Sequence, residues 1–340
     1  MVVDVPDARV PERPAVDGET FAREIVSQYA PMVLRGQVSR WPAVRAGQGG
    51  DRAIAGYLAG FGGGAPLEVL VGPPEIGGRF FYSDETLTGF NFARQAAGIG
   101  ALVAQLLRFA EAGDPHPPAL YANAATAPDH LPGWEAANPL GLEVPAPARL
   151  WIGNATRIAT HYDTSCNIAC VVAGRRRFIL FPPEQLANLY VGPLDRTMAG
   201  PPSSMVDPEA PDLARYPRFA QAWKHALVAD LEPGDALFIP PLWWHHVHAF
   251  GTLNVLVNYW WEHRSAAAFP ALIHAILTVR ELPEAEKAAW RSWFDHLAFA
   301  PDAERAADHL PLEARTVLGP PGPERDARIR SFLIAMLQRG

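Results

Sequence analysis

The alternation of apolar and polar positions changes character twice along the chain. Phe21 to Tyr29 predicts a helix, and Pro31 to Gly36 a short apolar strand closed by glycine, with Trp41-Pro42 beyond it. Leu67 to Val71 and Arg79 to Tyr82 predict strands separated by Gly72-Pro73-Pro74 and Gly77-Gly78. Leu102, Leu106 and Phe109 recur at helical spacing until Gly113 stops them. After this mixed α/β preface come short β-type runs bounded by Gly, Pro or Asp: Leu120-Tyr121, Arg149 to Ile152, Asn167 to Val172, Arg177 to Phe181, Ala236 to Ile239 and Thr252 to Trp261. They predict a β barrel or sandwich in the middle of the chain. Between Pro182 and Pro233 a proline-rich stretch with little periodicity reads as a long excursion over that core, the kind of insertion that forms lids and binding loops. After Glu262 the pattern turns helical, with stripes at Leu272, Ile276 and Val279, at Trp290, Phe294 and Leu297, and at Ile329, Leu333 and Met336-Leu337. No internal repeat at solenoid periods is visible.

Composition narrows the class. With 340 residues there is room for roughly two domains or one large β domain with helical additions. Hydrophobic residues make up 49% and charged residues 19%, which excludes a disordered or coiled-coil chain. Setting 36 acidic against 29 basic residues gives −7, the wrong sign for a chain that lives on a phosphate backbone, so nucleic acid is not the expected partner. Cys166 and Cys170, with three residues between them in a β-type run, predict no disulfide and are read as packing residues. Met1 to Pro14 has no apolar stretch and Ala266 to Val279 is too short to span a bilayer, so a cytoplasmic protein with no membrane segment is expected.

His161-Tyr162-Asp163 is the one place where a histidine is followed two residues later by a carboxylate. In an extended segment positions i and i+2 share a face, so this imidazole and carboxylate converge. A third ligand must come from far away, and the apolar run Ala236 to Pro240 leads straight into Trp243-Trp244-His245-His246. Two neutral imidazoles and one carboxylate form the facial triad of non-heme Fe(II) oxygenases, which leaves coordination positions open for oxygen and an organic co-substrate. The competing reading makes His161 a satisfied core histidine and His245 the cap of an aromatic strand.

These stretches, with Arg177 to Pro183, Gly234 to Pro240 and Asn258-Tyr259-Trp260, resemble the JmjC-type cupin family of Fe(II) and 2-oxoglutarate dioxygenases, especially its asparaginyl hydroxylases. The resemblance covers most of the chain. It implies a mainly β fold, a double-stranded β-helix or jelly roll, with an α/β amino-terminal region and a carboxy-terminal helical unit. The implied domains are residues 1–264, with the β-helix core at about 118–262, and a helical region at 265–340 that builds a homodimer. The implied metal ligands are His161, Asp163 and His245, with His246 turned away. Arg176 falls where similar hydroxylases carry a lysine for the far carboxylate of 2-oxoglutarate. Tyr121, Asn167 and Asn258 match residues that line the co-substrate cavity. Ile158 replaces a threonine that touches the co-substrate, and Thr160 is the residue expected to compensate. Trp243, Trp260 and Asn123 are expected to wall the substrate pocket.

The implied reaction is hydroxylation of a C–H bond, most readily of a protein or peptide side chain, with O2 as oxidant and 2-oxoglutarate converted to succinate. Demethylation follows the same route when the oxidised carbon is bonded to nitrogen. Two alternatives stand beside it: the same chemistry on a small metabolite or RNA nucleoside, and a non-oxidative metal-binding cupin, either an isomerase or a small-molecule binding protein. A degenerate, non-catalytic oxygenase fold fits less well, because all three ligands are present. No Gly-x-Ser-x-Gly elbow supports a hydrolase.

Overall fold

A computed structural model of the chain describes residues 6–62, 64–198, 200–261 and 268–338. The chain divides into two compact units, Met1–Ala266 and Ala267–Gly340. The domain boundary expected at 264–265 lies outside the described residues.

Among the described residues of the first unit, twelve strands form one mixed sheet: β1 Glu12–Pro14, β2 Met32–Arg35, β3 Leu67–Gly72, β4 Arg79–Phe80, β5 Ala93–Ala97, β6 Ala119–Thr126, β7 Arg149–Gly153, β8 Arg157–Tyr162, β9 Cys166–Phe181, β10 Leu227–Leu231, β11 Ala236–Ile239 and β12 Trp244–Trp261. They run in the order β1-β2-β11-β9-β12-β7-β6-β3-β5, with β10 on β9 and β8 on β12 and β4. The two long strands carry the architecture. The first half of β9 pairs with β11 and its second half with β10, while β12 pairs first with β8 and then with β7. Each long strand thus passes from one face of the roll to the other, the signature of a double-stranded β-helix.

Asn167 to Val172 and Arg177 to Phe181, expected as separate strands, are one continuous β9, and Thr252 to Trp261 is the second half of β12. Gly174 is the reason. It adopts φ +73° where the β9–β12 register shifts, and a Cβ there would fall 2.0 Å from Asn254 Oδ1. The glycine bends the strand as a bulge instead of ending it.

Alternation sorts the side chains. Ile168, Cys170 and Val172 of β9, Leu150 and Ile152 of β7, and Val255, Val257 and Tyr259 of β12 face a core shared with Phe21, Trp41, Leu58, Leu106 and Trp134 of the helical preface. The intervening residues Ala169, Val171 and Leu256 face the interior of the roll, where Trp151 packs partly buried against them. Both cysteines are buried and neither forms a disulfide among the described residues. The helix Ile99–Ala112 stops where expected, with Gly113 at φ +64°. The Pro182 to Pro233 excursion includes the 3-10 helix Pro183–Asn188 and the short helix Phe219–Trp223. It crosses the site strand as a bridge between Ser203 and His161, with Ser204 N donating to Thr160 O at 2.7 Å.

The second unit contains the helices Ala268–Thr278, Glu284–Phe294 and Pro323–Leu337. Among its described residues Ala307 alone is buried, and Leu277, Trp293, Phe299, Phe332 and Ile334 are exposed. No helix among the described residues is long and apolar enough to cross a membrane.

Candidate metal centre and co-substrate cavity

The antiparallel register of β8 and β12 sets His161 directly opposite His245, with ring centroids 4.3 Å apart. Asp163 follows the end of β8, its backbone held by Leu242 N donating to Asp163 O at 2.7 Å. One ligand atom from each of the three residues lies within 4.8 Å of the others, and His245 Nε2 is 3.7 Å from Asp163 Oδ2. Among the described residues this is the one such group that could hold a metal ion.

The imidazoles are set for coordination. His161 Nδ1 lies 2.8 Å from Ala159 O and His245 Nδ1 3.1 Å from Trp243 O. A carbonyl can only accept, so each Nδ1 carries a proton, which leaves Nε2 as the nitrogen that can bind a metal. Burial, with the neighbouring His161 acting in the same direction, pushes the His245 pKa down to about 4, which keeps the ring neutral. Two neutral imidazoles and a carboxylate suit Fe(II), and the metal implied by the sequence fits this donor set.

These ligands open into a cavity of about 330 Å³, within the usual range for small-molecule sites. Arg176, on the second half of β9, reaches into it with only 3% of its surface exposed. Its guanidinium lies beside the Tyr121 phenol and donates, at 3.5 Å, to Trp151 O. Its Nε finds no partner, and among the described residues no carboxylate pairs with it. Burial pushes the Tyr121 phenol up to about 12 against the opposing pull of Arg176, so Tyr121 is a neutral donor.

Asn167 and Asn258 connect to the metal end: Trp151 Nε1 donates to Asn258 Oδ1 at 2.9 Å, Asn258 Nδ2 to Asn167 Oδ1 at 3.2 Å, and Asn167 Nδ2 to Asp163 Oδ2 at 3.1 Å. Trp260 and Asn123 also line the cavity.

Two expected residues are not brought there. Thr160 alternates with His161 on β8, so its hydroxyl is buried outside the lining and without a partner, while Ile158 and Ala159 face the cavity across a bulge in the β8–β12 pairing. Trp243 precedes β12 in a turn, and its indole donates to Tyr29 O at 3.2 Å instead of walling the pocket. His246 faces away from the cavity, 3.7 Å from Glu209. The structure adds Phe80, Phe92, Trp151, Met198, Pro201 and Ser203 to the lining. The last three come from the long excursion, which carries no periodicity to betray them. Trp151 had one signal, its place between two core residues on a strand with alternating faces.

Comparison with known proteins agrees with this architecture. The cupin-like domain family matches residues 18–267. The chain is 26% identical over 275 residues to the human bifunctional peptidase and (3S)-lysyl hydroxylase JMJD7, covering 71% of this chain and 80% of that protein. It is 37% identical over 121 residues to the lysine-specific demethylase JMJ31 of Arabidopsis thaliana, spanning 22% of that protein. It is also 37% identical over 110 residues to tRNA wybutosine-synthesizing protein 5 of Danio rerio, spanning 31% of that protein. A match across most of the chain, a jelly roll and a facial His-Asp-His cluster lead to one conclusion: the protein belongs to the JmjC-type, cupin-like domain family.

Proposed function

We propose that the chain is an Fe(II)- and 2-oxoglutarate-dependent oxygenase that hydroxylates a C–H bond of a protein or peptide side chain. The observation that carries this reading is Arg176. A buried, unpaired cation costs several kcal/mol. Its place in the same cavity as the His-Asp-His cluster supports a dianionic co-substrate that spans the two, one carboxylate on the guanidinium and the keto acid end at the metal. A non-oxidative cupin needs no clamp for 2-oxoglutarate.

When bound, Fe(II) and 2-oxoglutarate would supply the oxidising power for insertion of oxygen into the C–H bond. His161, Asp163 and His245 would hold the metal. Arg176 and Tyr121 grip the far carboxylate, and Asn167 and Asn258 orient groups near the metal. Trp260, Phe80, Phe92 and Met198 exclude water and shape the entrance.

In the described lining Asp163 is the one carboxylate, and it is assigned to the metal. A lysine ammonium would enter unpaired, so the lining favours an uncharged side chain. The net charge of −7 argues against a nucleic acid substrate. A cytoplasmic location and a homodimer through the carboxy-terminal helices complete the reading. Purified protein with added Fe(II) and ascorbate under air is expected to convert 2-oxoglutarate to succinate, and His161→Ala and Arg176→Ala each to abolish it. Wild type without turnover and without 2-oxoglutarate binding by calorimetry returns the chain to the non-oxidative cupins.

A further inference from the structure

We propose that Trp151 is a positioning residue that orients the metal-binding carboxylate of Asp163 through the side-chain amides of Asn258 and Asn167. The proposal rests on the reading of His161, Asp163 and His245 as a metal centre.

The direction of this relay follows from chemistry. An indole N–H can only donate, and a carboxylate can only accept. With Trp151 at one end and Asp163 at the other, all three bonds must run the same way: indole to Asn258 Oδ1 at 2.9 Å, Asn258 Nδ2 to Asn167 Oδ1 at 3.2 Å, and Asn167 Nδ2 to Asp163 Oδ2 at 3.1 Å. Either amide turned over would set two oxygens or two NH2 groups against each other. The relay therefore holds Asn167 with its NH2 toward the carboxylate and limits rotation of Asp163.

Both amides are nearly inaccessible, Asn167 at 4% and Asn258 at 2% exposure, so water cannot take over a missing link at low cost. The tryptophan itself is held on every side. Its strand is paired with β12 at Leu256, its ring lies 5.9 Å from Tyr121 and 5.7 Å edge-on to Trp260, and its carbonyl accepts from Arg176. The residue that orients the metal carboxylate thus also touches both groups assigned to the co-substrate, Tyr121 and Arg176.

The test uses Co(II), which is stable in air and reports coordination through its visible d–d bands. Wild type, Trp151→Phe, Asn258→Leu and the double variant are titrated by calorimetry and by absorption. Trp151→Phe keeps an aromatic ring but loses the donor, and Asn258→Leu leaves the indole and breaks the same chain one link on. Each single variant is expected to weaken Co(II) binding about tenfold, the lower end for outer-shell partners of a metal site, and to shift the d–d bands. The double variant is expected to be no weaker than the weaker single one, because both changes cut one chain. Unchanged affinity and bands in the singles, or losses that multiply in the double, overturn the relay. If Trp151→Phe does not fold, the affinity and bands of Asn258→Leu alone decide between the same two outcomes. Wild type that takes up no Co(II) overturns the metal centre itself, whereas normal uptake by all four proteins overturns the relay alone.

Discussion

Arg176 is a cation with only 3% of its surface exposed, and its cost and its use can be separated by one substitution. Arg176→Met keeps much of the volume and removes the charge. Because the desolvation cost disappears, the ligand-free variant is expected to melt at or above the wild-type temperature. The lost charge-assisted bonds are expected to weaken 2-oxoglutarate binding by about 2 kcal/mol or more, roughly thirtyfold. Thermal unfolding with and without 2-oxoglutarate checks both: wild type is stabilised by the co-substrate and the variant is not. A variant still stabilised to the wild-type extent would remove Arg176 from the site. The position of Arg176 was legible from the resemblance around Arg175-Arg176-Arg177, but its lack of a counter-charge was not, since isolation is a property of everything around a residue. Thr160 shows the converse: one residue from His161 in sequence, it points to the other side of the strand.

At the scale of elements, the long excursion is pinned to the sheet by charge. Glu209 accepts from His248 Nδ1 at 2.6 Å and lies 3.7 Å from His246, both on β12, and 3.7 Å from Arg157 of β8. Asp207 meets Arg79 of β4 at 3.2 Å and Arg157 at 3.7 Å. Burial opposes ionisation of Glu209, but the hydrogen bond from His248 and the nearby His246 ring outweigh it and hold the carboxyl well below its ordinary value of 4.5. A carboxyl depressed on folding contributes stability above its unfolded pKa and loses it as pH falls toward the folded one. His246, lowered by burial, acts in the same direction, because it must remain neutral in the folded protein. Melting temperature is therefore expected to fall as pH drops from 7 to 4. Glu209→Gln is expected to melt about 2–6 °C lower at pH 7 and to approach wild type in acid. Parallel curves for the two proteins would show that Glu209 contributes nothing to the acid sensitivity. Of the strands of this network, only the region of β4 and the far half of β12 were read from the sequence, and Asp207 and Glu209 sit in a stretch with no period, where no face could be assigned.

At the scale of the whole molecule, the carboxy-terminal unit buries one described residue, Ala307, while Trp293, Phe299, Phe332, Leu333 and Ile334 stay exposed. We propose that this apolar surface is covered by a second copy of the chain. Leu333→Arg is expected to shift sedimentation from dimer to monomer, and an unchanged dimer would refute this assignment. The β-rich middle, the helical preface and the carboxy-terminal helices were readable from hydrophobic period, because period two or 3.6 reports which face of an element meets the core. His161 and Asp163 were readable as a pair for the same reason, being two apart in an extended segment that β8 ends in. Only the tertiary structure sets His161 opposite His245, joins two runs into one strand through Gly174, leaves Arg176 without a paired carboxylate among the described residues and links Trp151 to Asp163. A side chain's face is decided by its neighbours in sequence, but its partner is decided by strand register and closure of the roll, which sum contacts along the entire chain.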